Sequence, residues 1–282
     1  MPQTKHAWKL ATAVIMVLAL TALVLTGCGS SSSSVSRTVD DIKADGTIKI
    51  GVFSDKSPFG YVDEHGEYQG YDIELAKRIG EDMGVNVEFV STEAANRVEY
   101  LKTGKVDIIL ANFTVTPERS DQVDFAKAYM NVALGVVSHK DNVVTSLDQI
   151  GDRPVIVISG TTAETYLTKN NPDLTLEKYD TYAAAKTAFE NNADAVWAND
   201  NTEVVAFANQ AGPEYVVGIE KLGNTDTIAP AVTKGNEDLL SWLNDELVAL
   251  GSENFFHADY EKTLASTYGD EFEETLVVEP TA

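Results

Sequence analysis

Nine residues from Ala111 to Arg119, A-N-F-T-V-T-P-E-R, run a polar loop into a helix start that carries an arginine, and such an arrangement can hold a carboxylate. Val106 to Leu110 (V-D-I-I-L) reads as the strand that delivers the chain to this loop. Thr116 suits the N-cap, Pro117 the first helical position, and Arg119 falls in the first turn. A cation at that place opposes the helix dipole by about 0.3–1 kcal/mol. Its presence therefore fits an anion that draws the free amides and the guanidinium together. A surface arginine on a capped helix would satisfy the same residues without a ligand.

A second junction has the same character. Pro154 to Ser159 (P-V-I-V-I-S) is an apolar strand that runs into Gly160 to Glu164 (G-T-T-A-E), where Thr161 and Glu164 have capping-box spacing. Ligands of open α/β sheets bind at the carboxyl ends of strands, so two such junctions invite a ligand between them. Other chemistry finds little support. His6, His65, His139 and His257 are scattered without ligand spacing and Cys28 is the sole cysteine, so no metal site and no cofactor are expected. Neither a G-x-S-x-G elbow nor a phosphate-cradling G-x-x-x-x-G-K-[ST] loop occurs.

The elements that must position these loops alternate between strand and helix. Ile48 to Val52 is a short β-branched strand, followed by a turn-rich stretch through Pro58, Gly60, Gly66 and Gly70. Leu75, Ile79 and Met83 then recur on one helical face, with Glu74, Lys77, Arg78 and Asp82 opposite and Gly84 as the stop. Val85, Val87 and Phe89 alternate as a strand, and a helix from Asn96 to Thr103 ends at Gly104. This βαβαβ order with continuous apolar strands is the pattern of a parallel sheet. A second set follows Pro154: strands at 174–179, 194–197 and 215–219, with helices at 183–189 and 202–208. Leu239, Leu240, Leu243, Leu247 and Leu250 mark one further long amphipathic helix.

The N-terminus points out of the cell. Lys5, His6 and Lys9 precede an apolar run from Ala11 to Leu25 that is short for a bilayer span and ends in Leu25-Thr26-Gly27-Cys28. That ending resembles a bacterial lipobox, which implies cleavage before Cys28 and acylation of its thiol. A lone cysteine in an oxidising compartment has no internal partner, and lipidation accounts for it. Ser30 to Ser34 reads as a flexible tether. The formal charge is −23, and more negative once Lys5 and Lys9 are removed. Such a chain repels nucleic acid and anionic headgroups, so no nucleic-acid partner is expected and the lipid must hold the chain at the membrane.

Gly70 to Leu75 (G-Y-D-I-E-L), with Ile79, Gly80 and Met83, is similar to the signature of bacterial extracellular solute-binding proteins of the polar amino-acid class. The resemblance runs from about Thr47 to Tyr268. It includes G-V-F-S-D-K-S-P-F-G-Y at Gly51 to Tyr61, V-D-F-A at Val123 to Ala126, and I-S-G-T-T-A-E at Ile158 to Glu164. It implies the periplasmic-binding-protein-like (type II) α/β fold, with two lobes joined by two crossing strands that close over one free amino acid. The implied division is signal peptide 1–27, tether 28–38, lobe one 39–132, lobe two 133–228, a return to lobe one over 229–270 and an acidic tail 271–282. The crossings are expected near 133–137 and 228–232.

Carried over residue by residue, the resemblance makes Arg119 the partner of the ligand carboxylate, with Thr114, Thr161 and the amide of Thr162 assisting. Asn112 offers its backbone carbonyl to the α-ammonium. An aspartate should receive that ammonium after the D-A-V strand, and the count falls on Asn199 or Asp200; Asp200 is preferred because an ionised partner compensates a buried ammonium. Asp200 could instead cap the next helix. Lys56 and Ala94 fall where the ligand side chain would lie, with Arg97 nearby. No aromatic floor is expected there, which disfavours a long cationic ligand, and Lys56 could equally be solvated. The signature helix, Asp72 and Glu74 included, reads as packing. The resemblance lies nearest to binders of cysteine and other small polar amino acids, working as monomers with the permease subunits of an ABC transporter. The fold also hosts dehydratases, and a sensor lipoprotein would look alike, but no carboxylate here is marked as a general acid.

Overall fold

Glycines set both ends of the clearest helix. Gly70 (φ 119°) opens it and Gly84 (φ 76°) stops it in the left-handed region, where a side chain would be strained. Between them Ile73, Leu75, Ala76, Ile79 and Met83 face inward as their spacing requires. The computed structural model describes residues 36–282. The signal peptide, Cys28 and the serine run lie outside the described residues.

The first part of the chain gives α1 (Val39–Asp45), β1 (Thr47–Val52), β2 (Asp55–Lys56), β3 (Gly60–Val62), β4 (Tyr68–Gln69), α2 (Tyr71–Met83), β5 (Asn86–Ser91), α3 (Arg97–Lys102), β6 (Ile108–Ile109), α4 (Pro117–Ser120) and β7 (Val123–Phe125). The second gives β8 (Met130–His139), β9 (Val155–Ile158), α5 (Thr162–Asn170), β10 (Leu176–Tyr179), α6 (Tyr182–Glu190), β11 (Val196–Asp200), α7 (Asn201–Ala211) and β12 (Tyr215–Ile228). The chain ends with β13 (Ala231–Thr233), α8 (Glu237–Ser252), α9 (Phe255–Thr263), α10 (Ala265–Tyr268) and α11 (Glu273–Leu276).

Two five-stranded sheets result, in the orders β5-β1-β6-β13-β7 and β10-β9-β11-β8-β12, beside a small sheet β2-β3-β4. The expected parallel strands are present, β5, β1 and β6 in one sheet and β10, β9 and β11 in the other, but each sheet is completed by antiparallel strands. The α/β fold with two sheet-centred lobes therefore stands. β6 is assigned at only two residues, yet Asp107 and Leu110 donate to the carbonyls of Lys49 and Gly51 and extend its pairing with β1.

The chain passes between sheets twice. One passage, 229–230, links β12 to β13 inside the expected second crossing. The other lies at 126–129, between β7 and β8, rather than at 133–137: those residues are already deep in the second sheet, paired with β11. The two passages meet where Met130 pairs with Ile228. The last residues, read from sequence as a tail, pack onto this place: Val278 donates to the Tyr129 carbonyl and Val277 bridges to Met130.

One apolar cluster fills the first lobe behind α2 and α8, where Leu239, Leu243, Leu247 and Leu250 are wholly buried. Another backs the second sheet around Val155, Val157 and Leu167. A third spans both sheets, from Phe53, Ile109 and Phe113 to Ile158, Tyr182 and Trp197. Its midpoint is an edge-to-face contact of Phe53 with Tyr182, centroids 5.1 Å apart. Such a pair contributes about 0.5–1.5 kcal/mol beyond its buried area.

Candidate functional site

The loop after β6 turns because Asn112 adopts φ 45°, a left-handed conformation that asparagine tolerates better than most residues. What holds it is Asp72, the second residue of α2. Its carboxylate accepts from the Asn112 amide (2.8 Å) and from the Tyr129 hydroxyl (2.6 Å), and it has no solvent exposure. Burial pushes the Asp72 carboxyl up to about 6, against the pull of those two bonds and of Lys56 and Arg97. Asp72 thus belongs to the site's support as well as to the core.

Three cations converge on this loop. Lys56, at the end of β2, is fully buried; its ammonium donates to Asn112 Oδ1 (2.6 Å) and Asp200 Oδ2 (3.1 Å). The rings of Phe53, Phe59 and Tyr182 surround the same nitrogen, with centroids at 5.8, 5.3 and 5.0 Å. Burial opposes its charge, but the neighbouring negative groups, Asp200 and Glu203 among them, outweigh it and hold the lysine above its usual range. Both expectations for this corner are therefore corrected: Lys56 is not solvated, and an aromatic floor exists, filled by the protein's own lysine. Phe53 and Phe59 flank Lys56 three residues away on either side, a spacing visible in sequence, but Tyr182 arrives from the other lobe.

Arg97 and Arg119 both lie over the Phe113 ring, at 4.4 and 4.8 Å from its centroid. Arg97 donates to the carbonyls of Ala94, Ala111, Asn112 and Gly160. Arg119 donates to the carbonyls of Thr114 (2.7 Å) and Gly160 (3.0 Å). Among the described residues neither has a carboxylate within ion-pair distance. Burial first, and then Arg97, push Arg119 down to about 9; the guanidinium stays charged, and an anion beside it would be stabilising.

The helix starts behave as their residues dictate. Thr116 caps α4 by accepting from the Arg119 amide, with Pro117 as the first helical residue. Thr161 caps α5, but the box closes differently from expectation. Glu164 reaches the Gly160 amide (2.7 Å), because the Thr161 amide already donates to Ile158. The Thr161 hydroxyl also donates to Ile158 (2.7 Å) while accepting from Glu164, so it is engaged within its own turn. Thr162 lines a cavity of about 330 Å³ between the lobes, together with Thr116, Arg119, Gly160, Tyr166 and Asp226. A larger cavity, about 700 Å³, lies behind α7 and β12 and none of the three cations lines it.

Asp200 ends β11 and starts α7 without making a side-chain cap bond; its carboxylate turns to Lys56 instead. Asn199 is wholly buried, and its Oδ1 accepts from the Asp200 amide (2.7 Å), so it braces the aspartate from behind. Thr114 is buried beside Arg119, and Ala94 forms the wall against Gly160. Of the residues singled out from sequence, Arg119 and Thr162 line the interlobe cavity, while Lys56, Arg97, Asn112 and Asp200 are joined by hydrogen bonds in the buried layer next to Arg119. Gly160 must be a glycine: at φ 78° a Cβ there would lie 2.5 Å from the Ala95 Cα of the opposite lobe.

A buried mixed-charge cleft between two α/β lobes is the architecture of a binding protein, and the comparisons define its class. The profile of bacterial extracellular solute-binding proteins, family 3, matches residues 48–265. The chain belongs to that family. It is similar to the solute receptor for L-cysteine of Neisseria gonorrhoeae, 48% identical with a TM-score of 0.84, over 86% of this chain and 100% of that one. The cysteine-binding protein of Campylobacter jejuni is 46% identical with a TM-score of 0.83, over 86% and 98%. The ABC transporter glutamine-binding protein of Bacillus subtilis is 26% identical over 85% of this chain and 92% of its own. All three are named as binding proteins or solute receptors.

Proposed function

We propose that the protein captures a free amino acid, L-cysteine by preference, outside the cytoplasm and delivers it to the permease of an ABC transporter. The observation that supports this reading is that Arg119 spends its bonds on carbonyls and has no carboxylate within ion-pair distance among the described residues, while Asp200, bonded to Lys56 through one oxygen, is near enough to act on its charge: a cation and an anion suited to the two ends of an α-amino acid. Arg119 takes the carboxylate, assisted by Thr114 and the Thr162 amide. Asp200 takes the ammonium through the oxygen not bonded to Lys56, and Asn112 contributes its carbonyl. Ala94, Arg97 and Lys56 border the side chain, while Asn199 and Thr161 brace their neighbours. The names of the Neisseria and Campylobacter proteins support cysteine. Residues 1–27 act as the signal peptide, Cys28 carries the lipid anchor and begins the tether, and the lobes divide at the two passages, 126–129 and 229–230.

A thermal-shift screen of the common amino acids tests the ligand. L-Cysteine at about 100 times its Kd should stabilise the fold by about 2.7 kcal/mol. No shift with cysteine alongside a clear shift with glutamine or arginine would reassign the ligand.

A further inference from the structure

The charges enclosed by the cleft do not balance. Lys56, Arg97 and Arg119 converge there, against Asp200 and Asp72. Glu203, buried behind Lys56, is matched by Lys186 at 3.3 Å. Glu118, Asp226 and Lys169 line the exposed rim beside Arg119, where water and salt screen them and Lys169 offsets one of the two carboxylates. Tyr129 and Tyr182 border the cations as neutral phenols, because burial raises both. The interior therefore holds one positive charge more than it neutralises.

An amino-acid zwitterion brings no net charge and would leave that surplus in place. A ligand whose side chain is also anionic removes it. Resting on the reading of this cleft as an amino-acid site, we infer that it takes its ligand with an anionic side chain, so that L-cysteine is held as the thiolate. The thiol S–H gives its proton to bulk buffer, the electron pair stays on sulfur, and no bond to the protein forms. A free thiol with a pKa of about 8.5 is only about 3% ionised at pH 7, but cations within a few ångströms lower such values by units. Lys56 is the specificity determinant. Its ammonium already fills the aromatic cage of Phe53, Phe59 and Tyr182, so the place where a cationic side chain would stack is taken from within.

Calorimetry at pH 7 under a non-thiol reductant, in two buffers of different ionisation enthalpy, counts the protons. About one should be released per L-cysteine bound and none per L-serine. Lys56→Met should release less than half as many and bind cysteine at least tenfold more weakly. Cysteine binding without proton release in the wild-type protein would overturn the inference while leaving the cysteine reading intact. Should cysteine not bind at all, that reading falls and the inference is decided by L-aspartate and L-cysteinesulfinate against L-asparagine and L-alanine. Preference for the anions sustains it, and preference for the neutral pair overturns it.

Discussion

Arg119, half-buried, and Asp72, without exposure, show how differently two charges can serve one place. Arg119 stacks on Phe113 and spends its bonds on carbonyls, so its charge is hydrogen-bonded but unpaired. If it grips the ligand carboxylate, Arg119→Ala should cost about 2–5 kcal/mol, a loss of roughly 30-fold to several thousand-fold in affinity by calorimetry. Arg119→Lys should recover only part, since an ammonium cannot meet both carboxylate oxygens with a planar fork. Near-normal affinity in the alanine variant would demote the arginine to structure. Asp72 instead supports a neighbour. Its carboxyl, ordinarily near 3.8, is raised to about 6, so its contribution to stability is full below pH 4 and is lost as pH rises through 6. The ionised form then costs about 3 kcal/mol as an upper bound. Asp72→Asn should therefore gain in melting temperature relative to wild type between pH 4 and 7, yet bind ligand more weakly because a neutral carbonyl accepts less strongly from the Asn112 amide than a carboxylate does. A melting-temperature difference that stays flat across that range would contradict the assignment. The Thr-Pro-Glu-Arg helix start was legible in sequence because caps act locally. The role of Asp72 was not, since the group it holds lies 40 residues away.

At the scale of elements, the start of α5 must approach the 3-10 turn before α3 closely enough for both arginines of lobe one to reach a carbonyl of lobe two. Gly160 permits this. Gly160→Ala would add a left-handed strain of about 1–2 kcal/mol in any state, and a clash with Ala95 only when the lobes are shut. The variant should thus fold, lose at least tenfold in ligand affinity, and remain expanded in small-angle scattering at ligand concentrations that compact the wild type. Compaction equal to wild type would show that the contact is not needed for closure. Helices α2 and α8 were readable because their apolar faces repeat every turn and glycine or asparagine marks their ends. The antiparallel halves of both sheets and the passage at 126–129 were not. β8 and β12 pair residues that lie from 76 (His139 with Tyr215) to 98 (Met130 with Ile228) positions apart, and no local periodicity records which strand lies beside which. The cage around Lys56 escaped for the same reason: a lysine becomes buried only when rings from two lobes meet over it.

The whole molecule sets its charges in opposite senses. The chain carries a formal charge of −23, whereas Lys56, Arg97 and Arg119 converge between the lobes, so positive charge is gathered inside while the outside repels anionic surfaces. Among the described residues no helix is long and apolar enough to cross a membrane. The proposed attachment at Cys28 is therefore one that an acyl group, rather than surface charge, would have to supply. A single acyl chain binds only marginally, but the two chains of a diacylglyceryl group suffice for stable anchoring. Cys28 is the only cysteine, so if it carries the lipid a single substitution tests the attachment. Cys28→Ser should leave the protein in the aqueous phase or as an uncleaved precursor, without incorporation of labelled fatty acid, while the purified soluble domain keeps wild-type ligand affinity. Continued labelling of the Cys28→Ser protein would place the lipid elsewhere and remove the anchor from this cysteine.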